Sequence, residues 1–165
     1  MDITIQPAGA EFSEDGKYRY KLWRIWDESL PKAMCIGLNP SKASVIKNDN
    51  TISVLSIMLK KLGYGGFYMM NLFAWISSQP KDLLTCDDPI GENENKLKEV
   101  EALCQDVIVC WGNFKQAGER IKQVLPNYPN AKCFGKNKNG TPFHPRAMSY
   151  AGLLNRPSLQ LYRPS

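Results

Sequence analysis

AMCIGLNPS, residues 33–41, is an apolar run that stops abruptly on an asparagine and a proline. Apolar side chains in succession, without polar alternation, suit a strand covered on both faces, where neither side is left to water. Proline has no N–H to give to a ladder, so the strand ends before Pro40. Asn39 then stands where the chain leaves the sheet. Asn-Pro-Ser is a turn signal in its own right. At the rim of a buried sheet the same three residues also suit a binding loop.

Similar runs recur along the chain. GFYMMNLF (66–73), DVIVCWG (106–112) and AKCFG (131–135) each read as buried strands. Between them, NTISVLSIMLKKLG (50–63) sets Ile52, Leu55, Leu59 and Leu62 near helical spacing, with Gly63 as a stop. GENENKLKEVEALC (91–104) and NFKQAGERIKQVL (113–125) also read as helices. The aromatic, partly alternating YRYKLWRIWD (18–27) predicts an antiparallel strand, and LQLY (159–162) an edge strand.

Strands alternating with helices predict one α/β domain over residues 1–165, a three-layer αβα sandwich around a mainly parallel central sheet. In such sheets ligands bind in the crevice beyond the carboxyl ends of the strands. Those ends are Asn39-Pro40-Ser41, Asn71-Leu72-Phe73, Trp111-Gly112 and the loop GKNKNGTPFHPRAMS (135–149). They predict a rim carrying two carboxamides (Asn39, Asn71), an imidazole (His144), a hydroxyl (Ser41) and an aromatic ring (Phe73).

Composition narrows the partners. The formal net charge is +5. Residues 131–165 hold Lys132, Lys136, Lys138, Arg146, Arg156 and Arg163 and no acid, whereas 82–106 hold eight acids against Lys96 and Lys98. That asymmetry suits one surface facing a polyanion, and equally a solvated basic tail. No segment reaches the roughly 18 continuous apolar residues of a membrane span, and MDITIQPAGAEFSEDGKY lacks the apolar stretch of a signal peptide. Five cysteines without framework spacing predict free thiols in a reducing cytoplasm. One histidine and no CxxC speak against zinc, and no metal or cofactor is expected.

A carboxamide presents a donor and an acceptor side by side, which suits the edge of a nucleobase, with an aromatic ring for its face. An asparagine carbonyl can also hold a water, and a histidine can donate to charge developing on a leaving group. Taken singly, each residue has a plainer reading: Asn39-Pro40 as a turn, Asn71 as a backbone cap, His144-Pro145 as a structural turn, and Phe73 and Trp111 as core. Their order carries more. GLNPS, MNLF, VCWGNFKQAG and FHPRAMS follow one another as the blocks of the uracil-DNA glycosylase superfamily do, and the chain resembles that superfamily from Gly37 to Ser149. As a whole it is more similar still to a small bacterial family, domain of unknown function 1643, which shares the GLNPS, NLF, WG and HP blocks.

The glycosylase resemblance implies a uracil-DNA glycosylase-like fold and metal-independent hydrolysis of the N-glycosidic bond of a flipped base in DNA, the first step of base excision. It implies that Asn39 positions the attacking water, that Asn71 reads the base edge, and that His144 stabilises charge on the departing base. Pro40, Ser41 and Phe73 fall in the base pocket. Lys42, Lys136, Lys138 and Arg146 fall where phosphates pass, with Arg146 standing where the superfamily's His-Pro loop has serine. Met148 falls on the apolar wedge that fills a vacated base step. DNA is expected ahead of RNA. The alternatives are a noncatalytic nucleic-acid- or protein-binding module on the same fold, and an enzyme acting on free nucleotides or RNA.

Overall fold

The computed structural model describes residues 8–41, 49–150 and 152–164. Its class is α/β. Seven strands, β1 (Ala8–Phe12), β2 (Arg19–Ile25), β3 (Lys32–Gly37), β4 (Gly66–Asn71), β5 (Asp106–Val109), β6 (Lys132–Cys133) and β7 (Gln160–Leu161), form one mixed sheet in the order β1-β2-β4-β3-β5-β6-β7. Four helices, α1 (Asn50–Lys61), α2 (Asn93–Glu101), α3 (Gly118–Val124) and α4 (Pro145–Tyr150), accompany it.

The opening run behaves as its composition demands. In β3, Ala33, Met34, Cys35 and Ile36 are all fully buried. Alternation sends them to opposite faces. Ala33 and Cys35 join a cluster with Leu55, Met58 and Leu59 of α1 and Met148 of α4. Met34 and Ile36 join one with Leu97 of α2 and Val124 of α3. At about 25 cal/mol per Å² of apolar area buried, a strand with both faces covered stabilises the fold more than any edge strand does.

The sheet is mixed rather than mainly parallel. β4, β3, β5 and β6 pair in parallel, while β1 and β2 enter antiparallel on one side and β7 on the other. β1 has no signature in the sequence: AGAEF lacks β-branched residues, and its pairing with β2 forms it.

Other boundaries shift for local reasons. α1 starts at Asn50 because Asp49 caps it, its Oδ1 accepting the Ile52 N–H at 2.9 Å. The helix expected over 113–125 is a 3₁₀ turn (Lys115–Ala117) followed by the short α3, which gives way at Leu125 before Pro126. The loop expected over 135–149 contains α4, entered through Pro145, whose fixed φ suits a first helical residue.

Register decides where a ligand can sit. Gly37 pairs with Asn71 and Ile36 with Val109, so the carboxyl ends of β3, β4 and β5 stand level, side by side. Side chains from the opposite face fix the exit of β4. Asn93 Nδ2 donates to the Asn71 carbonyl at 2.7 Å, and Arg120 Nε donates to the Leu72 carbonyl at 2.7 Å. Glu94 in turn pairs with Arg120.

Candidate functional site

A cleft of about 710 Å³ opens at the carboxyl ends of β3, β4 and β5, between the N-terminus of α1 and the start of α4. Asn39, Ser41, Asn71, His144 and Arg146 line it together, as do Arg19, Asp49, Ser77 and Trp111. A larger depression of about 900 Å³ lies among Glu11, Glu14, Asp15, Asp88, Glu92 and Lys96. Its carboxylates would repel a polyanion.

Asn39 is held by its amide. Nδ2 donates to the Ser77 carbonyl at 3.0 Å and to the Pro40 carbonyl at 3.3 Å. Both bonds take the nitrogen end, so the orientation of Oδ1 is fixed as an acceptor. Asn71 is almost fully buried, and its Nδ2 donates to nothing among the described residues. Space for it is made by Gly37, where a Cβ would come within 2.9 Å of Asn71 Oδ1 and 2.5 Å of Met69 Cε. Gly37→Ala is therefore expected to displace the Asn71 carboxamide and weaken ligand binding about tenfold, the cost of one hydrogen bond near 1.4 kcal/mol. Titration calorimetry of the unsubstituted protein and the variant against one series of deoxynucleosides reads it.

His144 is oriented by the chain it begins. Its Nδ1 accepts the Arg146 backbone N–H at 3.0 Å, which leaves the proton on Nε2. Burial lowers its pKa from the usual 6.5, nearby Arg146 lowers it further, and Asp49 opposes both. The ring is thus neutral at neutral pH, a donor through Nε2. The consequence for stability has a definite sign. The unfolded chain takes up a proton near pH 6.5 that the folded ring refuses, so stability is unaffected above that pH and falls below it. His144→Asn is expected to flatten this part of the dependence in urea unfolding between about pH 7.5 and about pH 5.5.

Three of the expected site residues are buried and are not among those lining the cleft. Phe73 is 8% exposed and belongs to the same core cluster as Trp111 and Met34. Pro40 is buried behind the cleft, its carbonyl accepting the Ser77 N–H at 3.0 Å. Met148 is not a surface wedge. It is 1% exposed beneath α4, packed with the residues of α1, and a side chain in the core cannot enter a base step. Met148→Ala is expected to lower stability by about 2 kcal/mol, toward the small end for Met→Ala because a short peripheral helix can settle. Any activity would fall equally on duplex and single-stranded ligands, read by thermal unfolding beside the assay.

Lys136 and Lys138 are exposed but do not line the cleft, and Lys136 Nζ donates to the Arg163 carbonyl at 2.9 Å. Lys42 lies outside the described residues. Lys132 is drawn to the opposite end of the sheet by Asp106, at 3.1 Å. Of the acid-free segment's cations, Arg146 alone lines the cleft among the described residues.

Arg19, Asp49, Ser77 and Trp111 join the site without being assigned to it from sequence. Arg19 is 4% exposed, and burial lowers its pKa to about 10, with Asp49 opposing. It stays charged at neutral pH. Asp49 is engaged at both oxygens, by the Ile52 N–H and by Ser41 Oγ at 2.9 Å. For Asp49 a signal existed in the cap position ahead of Asn50, whereas for Arg19, inside an aromatic strand, none did.

A family described as a protein of unknown function (DUF1643) matches residues 19–146. The chain belongs to the DUF1643 family. Comparison with curated proteins found no match, and comparison with solved structures found none. The DUF1643 span opens on Arg19 and closes on Arg146, so it runs from one cation of the cleft to the other.

The glycines of the site serve its close contacts. Gly112, at φ +76°, turns the chain after Trp111, and a Cβ there would lie 3.2 Å from His144 Cβ. The Trp-Gly pair thus matters for where it lets His144 sit.

Proposed function

We propose that this DUF1643 protein binds a nucleobase in the cleft and hydrolyses its N-glycosidic bond, on a three-layer αβα fold of the uracil-DNA glycosylase kind. The observation that carries this reading is the polarity of the groups brought to one cleft: Asn39, whose amide bonds leave Oδ1 as an acceptor, His144, whose Nε2 is a donor, and the Asn71 carboxamide, whose buried Nδ2 has no partner among the described residues. Water held by Asn39 attacks the sugar C1′ as the bond to the base breaks, and the proton it sheds passes through solvent to the base anion, so that the free base and the sugar hydroxyl are the products. The bonding electrons leave with the base, whose carbonyl oxygen takes a hydrogen bond from the neutral imidazole, while Asn71 reads the base edge. Helix-borne apolar clusters on both faces of the sheet support the layering.

Burial of Met148 favours a substrate whose base is already unstacked, a single strand or a free nucleotide, over a duplex base that must be levered out. No helix among the described residues is long and apolar enough to cross a membrane. The five unpaired cysteines suit a reducing cytoplasmic setting.

The test is incubation with single-stranded and duplex oligonucleotides carrying a panel of modified bases, followed by cleavage at abasic sites. Abasic product on a single-stranded member supports the reading, and none across the panel removes it. Nucleic-acid contact has its own measurement. Binding of a single-stranded oligonucleotide is expected to weaken with salt, and Arg146→Gln to reduce the slope by about 0.7, the value for one phosphate contact on a single strand. A slope unchanged by the substitution takes Arg146 off the phosphate path.

A further inference from the structure

The cleft holds a full positive charge that bond hydrolysis does not call for. Arg19 opens β2, its backbone N–H bonded to the Ala74 carbonyl at 3.0 Å, and its side chain lines the cleft at 4% exposure. Nε and Nη1 are buried and donate to nothing among the described residues. Among the described residues lining the cleft Asp49 is the one carboxylate, and its oxygens are engaged by Ile52 and Ser41. Its charge offsets the burial of Arg19 without satisfying the guanidinium's donors. A buried ion without hydrogen-bonded compensation is costly, and arginine offers five donors and no acceptor.

The orphaned atoms around it have the same sign. Trp111 Nε1 and Asn71 Nδ2, on residues lining the same cleft, are also buried donors without an acceptor. The N-terminal turn of the 12-residue α1 borders the cleft as well, adding the positive end of its dipole. A neutral base supplies carbonyl acceptors for Trp111 and Asn71, but nothing to match a guanidinium. An oxyanion matches it directly. The volume, about 710 Å³, lies within the range of roughly 300–1,000 Å³ for small-molecule sites, room for a base and phosphate together.

We propose that Arg19 binds a phosphate carried by the substrate nucleotide, so that the cleft takes base and phosphate as one unit, the base edge on Asn71 and the phosphate on Arg19. This rests on the reading that the cleft accepts a nucleobase, and its test is separate from excision. Exposed Arg146 stands at the same cleft, where it draws the anion in, while Arg19 holds it in the wall.

The experiment is titration calorimetry on the full chain at fixed ionic strength. The probes are inorganic phosphate, the four common deoxynucleosides, and their 5′- and 3′-monophosphates. At least one monophosphate is expected to bind about 10- to 100-fold more tightly than its nucleoside, the span for a hydrogen bond to a charged group. Arg19→Met is expected to erase that preference while leaving nucleoside affinity in place. Arg19→Lys, which keeps the charge and loses the planar fork, should fall between. Ligand-free Arg19→Met should melt no lower than the unsubstituted protein, because an uncompensated charge has been removed. Phosphate should raise the melting temperature of the unsubstituted protein and not that of Arg19→Met.

Equal affinity for monophosphates and nucleosides overturns the proposal, and so does a preference that survives in Arg19→Met. Should that variant not fold, the unsubstituted protein decides: no preference for any monophosphate and no shift with phosphate reject the site. Binding of inorganic phosphate alone as tightly as any nucleotide assigns the site to free phosphate and rejects the nucleotide unit. Phosphate preference without abasic product keeps Arg19's role and ends the excision reading. Excision without phosphate preference does the reverse.

Discussion

Asn39→Ala is expected to slow single-turnover excision by about 10²-fold, the order of the loss when a reactant is no longer held in its attacking position. The loss should be equal on single-stranded and duplex oligonucleotides, because Asn39 acts on the water after the base has left any stack. The size of the effect follows from how the side chain is held. Two carbonyls, Ser77 O and Pro40 O, take its amide hydrogens, so Oδ1 meets the water without reorientation. Alanine removes the acceptor and leaves the strand exit intact, since the Pro40 carbonyl keeps the Ser77 N–H and the Leu72 N–H still bonds the Gly37 carbonyl. Asn39→Asp sharpens the test. Its carboxylate would face the same two carbonyls with no hydrogen to give, so the variant should melt lower than Asn39→Ala despite closer size. Full excision by Asn39→Ala would reduce Asn39-Pro40-Ser41 to a turn.

What was legible in the sequence follows from which interactions are local. The run 33–38 reads as a doubly covered strand because each of its residues must find apolar neighbours whichever face it takes, and Ala33 to Ile36 are all buried. The strand exits could be located for the same reason, and register then brings Asn39, Asn71 and His144 to one cleft. The misreadings arose where a distant partner decides. β1 exists through its pairing with β2. Phe73 and Met148 sit at motif positions that suggest contact with a base, but tertiary packing puts Phe73 beside Trp111 and Met148 beneath α4. Arg19 gave no sign, because a charge in an aromatic strand usually marks an exposed face. Only the meeting of β2 with the end of β4 shows that it is buried.

His144→Ala is expected to slow excision by about 10²–10³-fold, the cost of losing one preorganised donor to a developing anion. The imidazole reaches that role through two restraints. The Arg146 N–H occupies Nδ1 and so settles the proton on Nε2, and burial beside Arg146 keeps the ring neutral. Gly112 supplies the approach, since its φ of +76° and bare Cα let His144 Cβ pack where a methyl would stand 3.2 Å away. Gly112→Ala should therefore act through His144. It adds backbone strain of about 1 kcal/mol at positive φ, and it pushes the ring off the leaving group. Substitutions that act through one group are not additive. The double variant Gly112→Ala/His144→Ala should accordingly excise no more slowly than His144→Ala alone, once each protein's folded fraction is set by its thermal unfolding curve. Multiplicative rate losses would assign Gly112 to the fold alone. Undiminished excision by His144→Ala would take the imidazole out of the chemistry and leave the departing base to Asn71 and Trp111.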